Sequence, residues 1–179
     1  MILLIPIGGI GDRFKQQNYE KPKALIEVNN KPILFHLLDN LELNLATKII
    51  IPYHRDYERY NLEQLIKDRY PNIKFLFHKL SKNTRGAAET ILIALQNYIH
   101  SLLYYPAINF KYVRENNDDS IICIDSDNFY QTNILSQWDQ TKNTVFTFLD
   151  NSQDAKFSYV QVDETNQITD ILEKFKISH

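Results

Sequence analysis

The chain has 179 residues, 44% of them apolar and 23% charged, which fits one globular domain and excludes low-complexity and fibrous classes. A formal net charge of −2 argues against a nucleic-acid backbone as partner, and no apolar run reaches the length of a membrane span. The single cysteine, Cys123, excludes an internal disulfide and fits a reducing, cytoplasmic compartment.

Met1 to Ile7 is a continuous apolar run. No basic segment precedes it and glycines follow at once, so it reads as a buried parallel strand and not as a signal peptide. Three of the four glycines come next, Gly8, Gly9 and Gly11. Glycine lets another group approach the backbone closely, and a strand opening into a glycine turn presents bare N–H groups that cradle phosphates. Arg13 adds a planar cation suited to phosphate oxygens, and Lys21-Pro22-Lys23 adds more positive charge. The first 25 residues therefore read as a nucleotide-phosphate site.

Ala24 to Val28 is a short extended piece, turned by Asn29-Asn30. Pro32 to Leu45 has helical apolar spacing, with Pro32 suited to the first turn. Lys48 to Tyr53 predicts a second strand, Asp56 to Tyr70 an amphipathic helix ended by Pro71, and Ile73 to His78 a third strand. Another helix starts at Arg85-Gly86. Ser120 to Ile124 predicts a fourth strand, leading into Asp125-Ser126-Asp127-Asn128, and Thr132 to Thr141 a short helix. Val145 to Leu149, Ser158 to Val162 and Ile168 to Glu173 predict later strands, and Tyr104 to Asp119 reads as a long loop or insertion. Cys123, inside an apolar strand, is expected to be an inert core residue. His36, His54, His78, His100 and His179 show no metal-ligand spacing, and Trp138 and the tyrosines are expected to serve packing.

Alternating strands and helices imply an α/β fold with a mainly parallel sheet. Such sheets bind ligands beyond the carboxyl ends of their strands, where the glycine turn, Gly86 and Asp125–Asn128 are expected to meet. Asp125 and Asp127 are two carboxylates in position to hold a divalent cation, although the same residues could cap a helix.

Gly8-Gly9-Ile10-Gly11-Asp12-Arg13-Phe14, Lys21-Pro22-Lys23-Ala24-Leu25 and Asn30-Lys31-Pro32-Ile33 resemble the start of a sugar-phosphate nucleotidyltransferase. That family includes glucose-1-phosphate thymidylyltransferase and small capsule-biosynthesis enzymes. The likeness continues through Arg85-Gly86-Ala87-Ala88-Glu89-Thr90, Asp125-Ser126-Asp127-Asn128, Ser158-Tyr159-Val160 and Glu173-Lys174, in the family's order across nearly the whole chain. The resemblance implies a Rossmann-like α/β/α sandwich in a single domain over residues 1–179, which could be the N-terminal part of a longer protein. It implies that a sugar 1-phosphate, or a phosphocholine-like compound, attacks the α-phosphate of an NTP, for surface polysaccharide biosynthesis.

By the same resemblance the Gly8, Gly9 and Gly11 backbone holds the nucleotide and Arg13 neutralises the leaving pyrophosphate. Lys23 stabilises the reacting phosphates, and Asp127, with Asp125, holds Mg²⁺. Gly86 passes close to the base or ribose, and Glu173 and Lys174 face the sugar phosphate. One departure stands out. The family's second metal-binding carboxylate follows the last motif seen here, and this sequence ends before it at His179. Either it comes from elsewhere, or the chain is a fragment, or the activity is impaired. Two other classes stay open: a glycosyltransferase using Asp125-Ser126-Asp127, and a non-catalytic nucleotide-binding domain.

Overall fold

The structure is a computed structural model and describes residues 1–9, 14, 19–103 and 120–175. Gly11, Arg13 and the Tyr104–Asp119 segment lie outside the described residues. The chain divides into two compact units, Met1–Thr144 and Val145–His179.

The first unit is built on a four-stranded parallel sheet. Its strands are β1 (Ile2–Leu4), β4 (Lys48–His54), β5 (Phe75–Leu80) and β6 (Ile121–Cys123), in the order β5-β4-β1-β6. β1 pairs with β4 from Ile2–Lys48 to Leu4–Ile50, and with β6 from Ile2–Ile121 to Leu4–Cys123. Strands apolar on both faces are what a sheet covered on both sides requires. Leu3, Ile5, Ile49, Ile51 and Ile122 point into one core cluster, and Ile2, Leu4 and Ile50 into the other.

Helices α1 (Ile33–Asp39) and α2 (Leu62–Arg69) cover the first face through Leu34, Leu37, Leu38, Leu62 and Ile66. Helix α3 (Ala87–Leu103) covers the second through Ala94, Ile91 and Leu95. A short antiparallel pair, β2 (Glu27–Val28) with β3 (Lys31–Pro32), turns through Asn29 and Asn30, both at positive φ. A short helix, α4 (Ile134–Gln137), is N-capped by Asn133, whose Oδ1 accepts from the Leu135 amide. The α/β class and the parallel central sheet are as the sequence predicts.

Several element boundaries differ from the sequence expectation. The first helix stops at Asp39, and Leu43–Leu45 forms a separate 3₁₀ turn. The expected helix from Asp56 to Tyr70 is a 3₁₀ segment, Arg55–Tyr60, followed by α2. Asn61 separates the two in the left-handed region at φ 50, ψ 44, which asparagine tolerates better than most residues. The Ala24–Val28 piece begins as a 3₁₀ turn, Lys23–Leu25.

Cys123 is exposed, contrary to the core placement expected of it. Among the described residues β6 is the last strand of the sheet, and α3 lies over β1 and β4 on that face. Partial desolvation and the charge of Asp125 push the thiol up from its ordinary pKa, so it stays a thiol and not a reactive thiolate.

In the second unit, β7 (Ser158–Val162) and β8 (Ile168–Glu173) form a two-stranded antiparallel sheet. Asp163 Oδ1 organises the turn by accepting from the amides of Thr165 at 2.8 Å and Gln167 at 2.9 Å, with Asn166 at positive φ. Val145 to Leu149 is not a strand. It pairs with no described residue in a ladder, and Leu149 is 85% exposed.

One polar cluster fastens α1 to α2. Asp39 accepts from Lys31 Nζ at 2.8 Å, from Arg69 Nε and Nη2, and from the Tyr70 hydroxyl at 2.6 Å. Burial disfavours the Asp39 charge, but Arg69, Lys31 and Tyr70 outweigh it and hold the carboxyl well below the usual range. A depressed native pKa stabilises the fold above the unfolded carboxyl's value, 3.8, and that stabilisation fades as pH falls through and below it. Asp39→Asn is expected to cost about 1–2 kcal/mol at pH 7, measured by urea denaturation. The difference from the parent chain should shrink steadily between pH 5 and pH 2; a difference constant across that range would remove Asp39 from the acid response.

Candidate active site

β1 lies between β4 and β6, so the chain leaves it towards one side of the sheet and returns on the other. Ligands of open parallel sheets bind at such a switch point, beyond the carboxyl ends of the strands. Here the end of β1 runs on as Pro6-Ile7-Gly8-Gly9, still tied to β4 by Ile7 N–H donating to Pro52 O at 2.7 Å. The end of β6 runs on as Ile124-Asp125-Ser126-Asp127, tied to β1 by Ile124 N–H donating to Leu4 O at 3.0 Å. A cleft of about 160 Å³ opens between them, lined by Pro6, Ile7, Gly9, Lys23, Tyr57, Asp125, Ser126 and Asp127.

The glycines of the first turn serve different ends. A Cβ on Gly8 would lie 2.4 Å from Thr90 Oγ1 and 3.2 Å from Leu80 Cδ1, so Gly8 is needed for the first turn of α3 to close onto β1. Thr90 is 1% exposed, and its hydroxyl is held by Thr84 Oγ1 at 2.7 Å and donates to Gly86 O at 3.2 Å. A Cβ on Gly9 would meet no atom within 4 Å. Gly9 is exposed and lines the cleft, which leaves its backbone approachable by a ligand. Gly86 is likewise open. The turn around it is braced by Glu89 Oε2, which accepts from the Arg85 amide at 2.6 Å, an arrangement close to a capping box.

Lys23 stands at the start of its 3₁₀ turn, and its ammonium reaches Asp127 Oδ2 from across the cleft. On another side it lies 5.8 Å from the centroid of the Phe14 ring. Lys21, two residues earlier, instead pairs with Glu27 on the surface. Of the two lysines in the Lys-Pro-Lys motif, only Lys23 faces the acidic residues. Burial and the neighbouring Asp127 charge push the Asp125 carboxyl up from its ordinary value, and Lys23 partly offsets them. Two carboxylates and one ammonium thus share a small volume, a charge arrangement that a polyanion with its counter-cation can replace.

Among the described residues, no group of three or more His, Cys, Asp or Glu converges to hold a metal. The oxygen donors of Asp125 and Asp127 fit a hard divalent cation such as Mg²⁺, which takes one or two carboxylates and completes its shell with water and phosphate oxygens. Gly9, Lys23, Asp125 and Asp127 line the cleft together, Gly8 lies in the adjoining turn against Thr90, and Gly86 is exposed at the start of α3, its carbonyl accepting from the same Thr90 hydroxyl. Glu173 closes β8 in the second unit. Lys174 follows it at φ 54, with its N–H donating to Phe157 O at 2.7 Å and its ammonium 3.4 Å from Glu173 Oε1. Gly11 and Arg13 fall outside the described residues.

Sequence reasoning missed Thr90, Thr84 and Tyr57. Thr90 follows Gly86 in a quoted motif, but its reason appears only when α3 meets β1.

The family model for nucleotidyl transferases matches residues 2–178. A comparison with curated protein sequences finds no match. Among solved structures, the chain resembles a nucleoside-diphosphate-sugar pyrophosphorylase from Vibrio cholerae RC9 at 18% identity and TM-score 0.63, over 99% of this chain and 68% of that one. It resembles HddC from Yersinia pseudotuberculosis complexed with GMP-PN at 19% identity and TM-score 0.62, over 98% and 70%. It resembles the inositol-1-phosphate CTP transferase from T. maritima at 13% identity and TM-score 0.62, over 98% and 65%. At these identities the likeness is one of fold, and the chain spans about two thirds of the length of these structures.

The glycine geometry separates two substitutions. Gly8→Ala is expected to destabilise the fold by about 1–3 kcal/mol through overpacking, and Thr90→Ala in the same chain should restore part of that loss. Gly9→Ala should leave the melting temperature unchanged. Thermal denaturation of the four chains decides it: equal losses at Gly8 and Gly9 would show that Thr90 does not set the constraint.

Proposed function

Since the chain belongs to the nucleotidyl transferase family, we propose that it transfers the nucleotidyl group of an NTP to a phosphorylated small molecule, a sugar 1-phosphate or a phosphocholine-like compound, and releases pyrophosphate. The observation that carries this reading is the cleft at the switch point, where Gly9, Lys23 and the Asp125/Asp127 pair arrive from three separate segments.

An oxygen of the acceptor phosphate forms a bond to the α-phosphorus, and the bond from that phosphorus to the bridging oxygen of pyrophosphate breaks. The leaving pyrophosphate takes the electron pair. The attacking oxygen is already anionic, so no general base is needed; the difficulty is the meeting of two anions. In this reading the open backbone at Gly9 admits the phosphates. Lys23 exchanges Asp127 for phosphate oxygens and opposes the charge that accumulates in the transition state. Asp127 and Asp125 would hold Mg²⁺, which supplies charge neutralisation on the phosphates when bound.

Arg13, Gly11, Gly86, Glu173 and Lys174 keep the roles that the family resemblance gives them: pyrophosphate, nucleotide backbone, base or ribose, and sugar phosphate. A cytoplasmic setting and a product destined for surface polysaccharide belong to the same proposal. Among the described residues, no helix is long and apolar enough to cross a membrane. A glycosyltransferase could use Asp125-Ser126-Asp127, but its donor has no triphosphate tail to engage Lys23.

The test is pyrophosphate release with Mg²⁺, each NTP being paired with a panel of sugar 1-phosphates and phosphocholine. Release that needs both one NTP and one acceptor is the expected result. Nucleotide binding without release under every pairing would favour a non-catalytic domain. Lys23→Ala should lower kcat by about two orders of magnitude or more with the fold intact. Asp127→Asn should remove both turnover and its Mg²⁺ dependence; Mg²⁺-dependent turnover surviving in that variant would place the metal elsewhere.

A further inference from the structure

The 3₁₀ turn that carries Lys23 is bonded within itself by Leu25 N–H donating to Pro22 O at 2.8 Å and Ile26 N–H donating to Lys23 O at 3.2 Å. Ala24 N–H has no carbonyl in that pattern. It donates instead to the hydroxyl of Tyr57, 33 residues away, at 3.3 Å. Tyr57 is 2% exposed, and its ring belongs to the core cluster under α1 and α2. It also lines the cleft beside Lys23, Asp125 and Asp127. A phenylalanine would fill the same core space, so packing alone does not account for the hydroxyl.

Tyr57 is itself held in place. It sits in the Arg55–Tyr60 turn, and the preceding His54, 3% exposed, caps that turn by accepting from the Asp56 amide at Nδ1, 3.2 Å. The other ring nitrogen, Nε2, is hydrogen-bonded with Asn83 Oδ1 at 2.8 Å. The hydroxyl is therefore anchored from the core side before it meets Ala24.

We propose that Tyr57 is a positioning residue of the site: its hydroxyl, by holding Ala24 N–H, fixes the Lys23–Leu25 turn and so sets where the Lys23 ammonium stands. Burial comes first in pushing the phenol up to about 12; the Ala24 bond opposes this, and the charges of Asp127 and Asp56 reinforce it. The group consequently remains a neutral hydroxyl at neutral pH. Among the described residues no acceptor takes its own proton, so the bond to Ala24 is what ties it to the turn.

The activity arm of the test rests on the nucleotidyl-transfer reading; the labelling arm does not. Tyr57→Phe should retain its circular dichroism spectrum and lower kcat for pyrophosphate release at least tenfold, with KM for the NTP changed much less. In the Lys23→Ala background the same change should cost nothing further, because Tyr57 acts through Lys23. Losses that multiply, or a kcat within twofold of the parent chain, would overturn the proposal.

Acylation of the ligand-free chain with acetic anhydride, read lysine by lysine in a mass spectrometer, gives the independent readout. Tyr57→Phe should raise labelling of Lys23 at least threefold while Lys21 and Lys31 stay as they were. An unchanged rate at Lys23, or a rise matched at Lys31, would sink the idea. If the parent chain releases no pyrophosphate with any pairing, the functional reading fails and the labelling still decides the role of Tyr57.

Discussion

The placement of β1 constrains the rest of the first unit. It pairs with β4 on one side and β6 on the other, in register from its first residue. Both of its faces are sealed by core clusters of different make-up, so a slip of either pairing by one residue would send each side chain into the opposite cluster and spoil the packing of both. The connections that follow β1 and β6 must then emerge at the same edge. Their proximity is a consequence of strand register and needs no attraction between them. The glycine turn and the two aspartates meet because the sheet is parallel and β1 is internal.

The supports around the site are of two kinds. Behind the turn they are steric: Thr90 packs where a Cβ of Gly8 would go, and Leu80 stands beside it. In front they are electrostatic and polar: Lys23 against Asp127, and Tyr57 against the Ala24 amide. Steric contacts of this sort fix the backbone and change little when a ligand arrives. An ion pair between partly exposed groups is worth little in itself and is readily exchanged. The rigid half of the site presents the loop, and the exchangeable half presents charge.

Much of this was legible in the residues. The apolar runs of β1 and β4 mark the sheet, because burial on both faces leaves an unbroken apolar signature, and Gly8-Gly9 mark the turn that follows β1. The Asp125-Ser126-Asp127 string was legible for the same reason, as polar residues directly after an apolar strand. Tyr57 and Thr90 were not, since each owes its role to a partner distant in sequence and looks like ordinary packing in isolation. The exposure of Cys123 is not legible, because an apolar neighbourhood in sequence does not reveal that its strand comes last in the sheet among the described residues. Val145 to Leu149 misled in a similar way: the strand pattern is present, and a described ladder partner is not. Asn61 breaks an otherwise continuous helical pattern through a backbone conformation that side-chain periodicity does not encode.

The ion pair between Lys23 and Asp127 ties up both of those charges, with the Asp125 carboxyl beside them in the same cleft. An anion that captures the ammonium abandons a carboxylate beside a second carboxylate, and a cation that captures the carboxylate abandons the ammonium. Each half-exchange leaves charge stranded. A visitor that carries both signs, as a polyphosphate does with its counter-ion, answers both partners together, its cation meeting the carboxylates while its oxygens meet the ammonium.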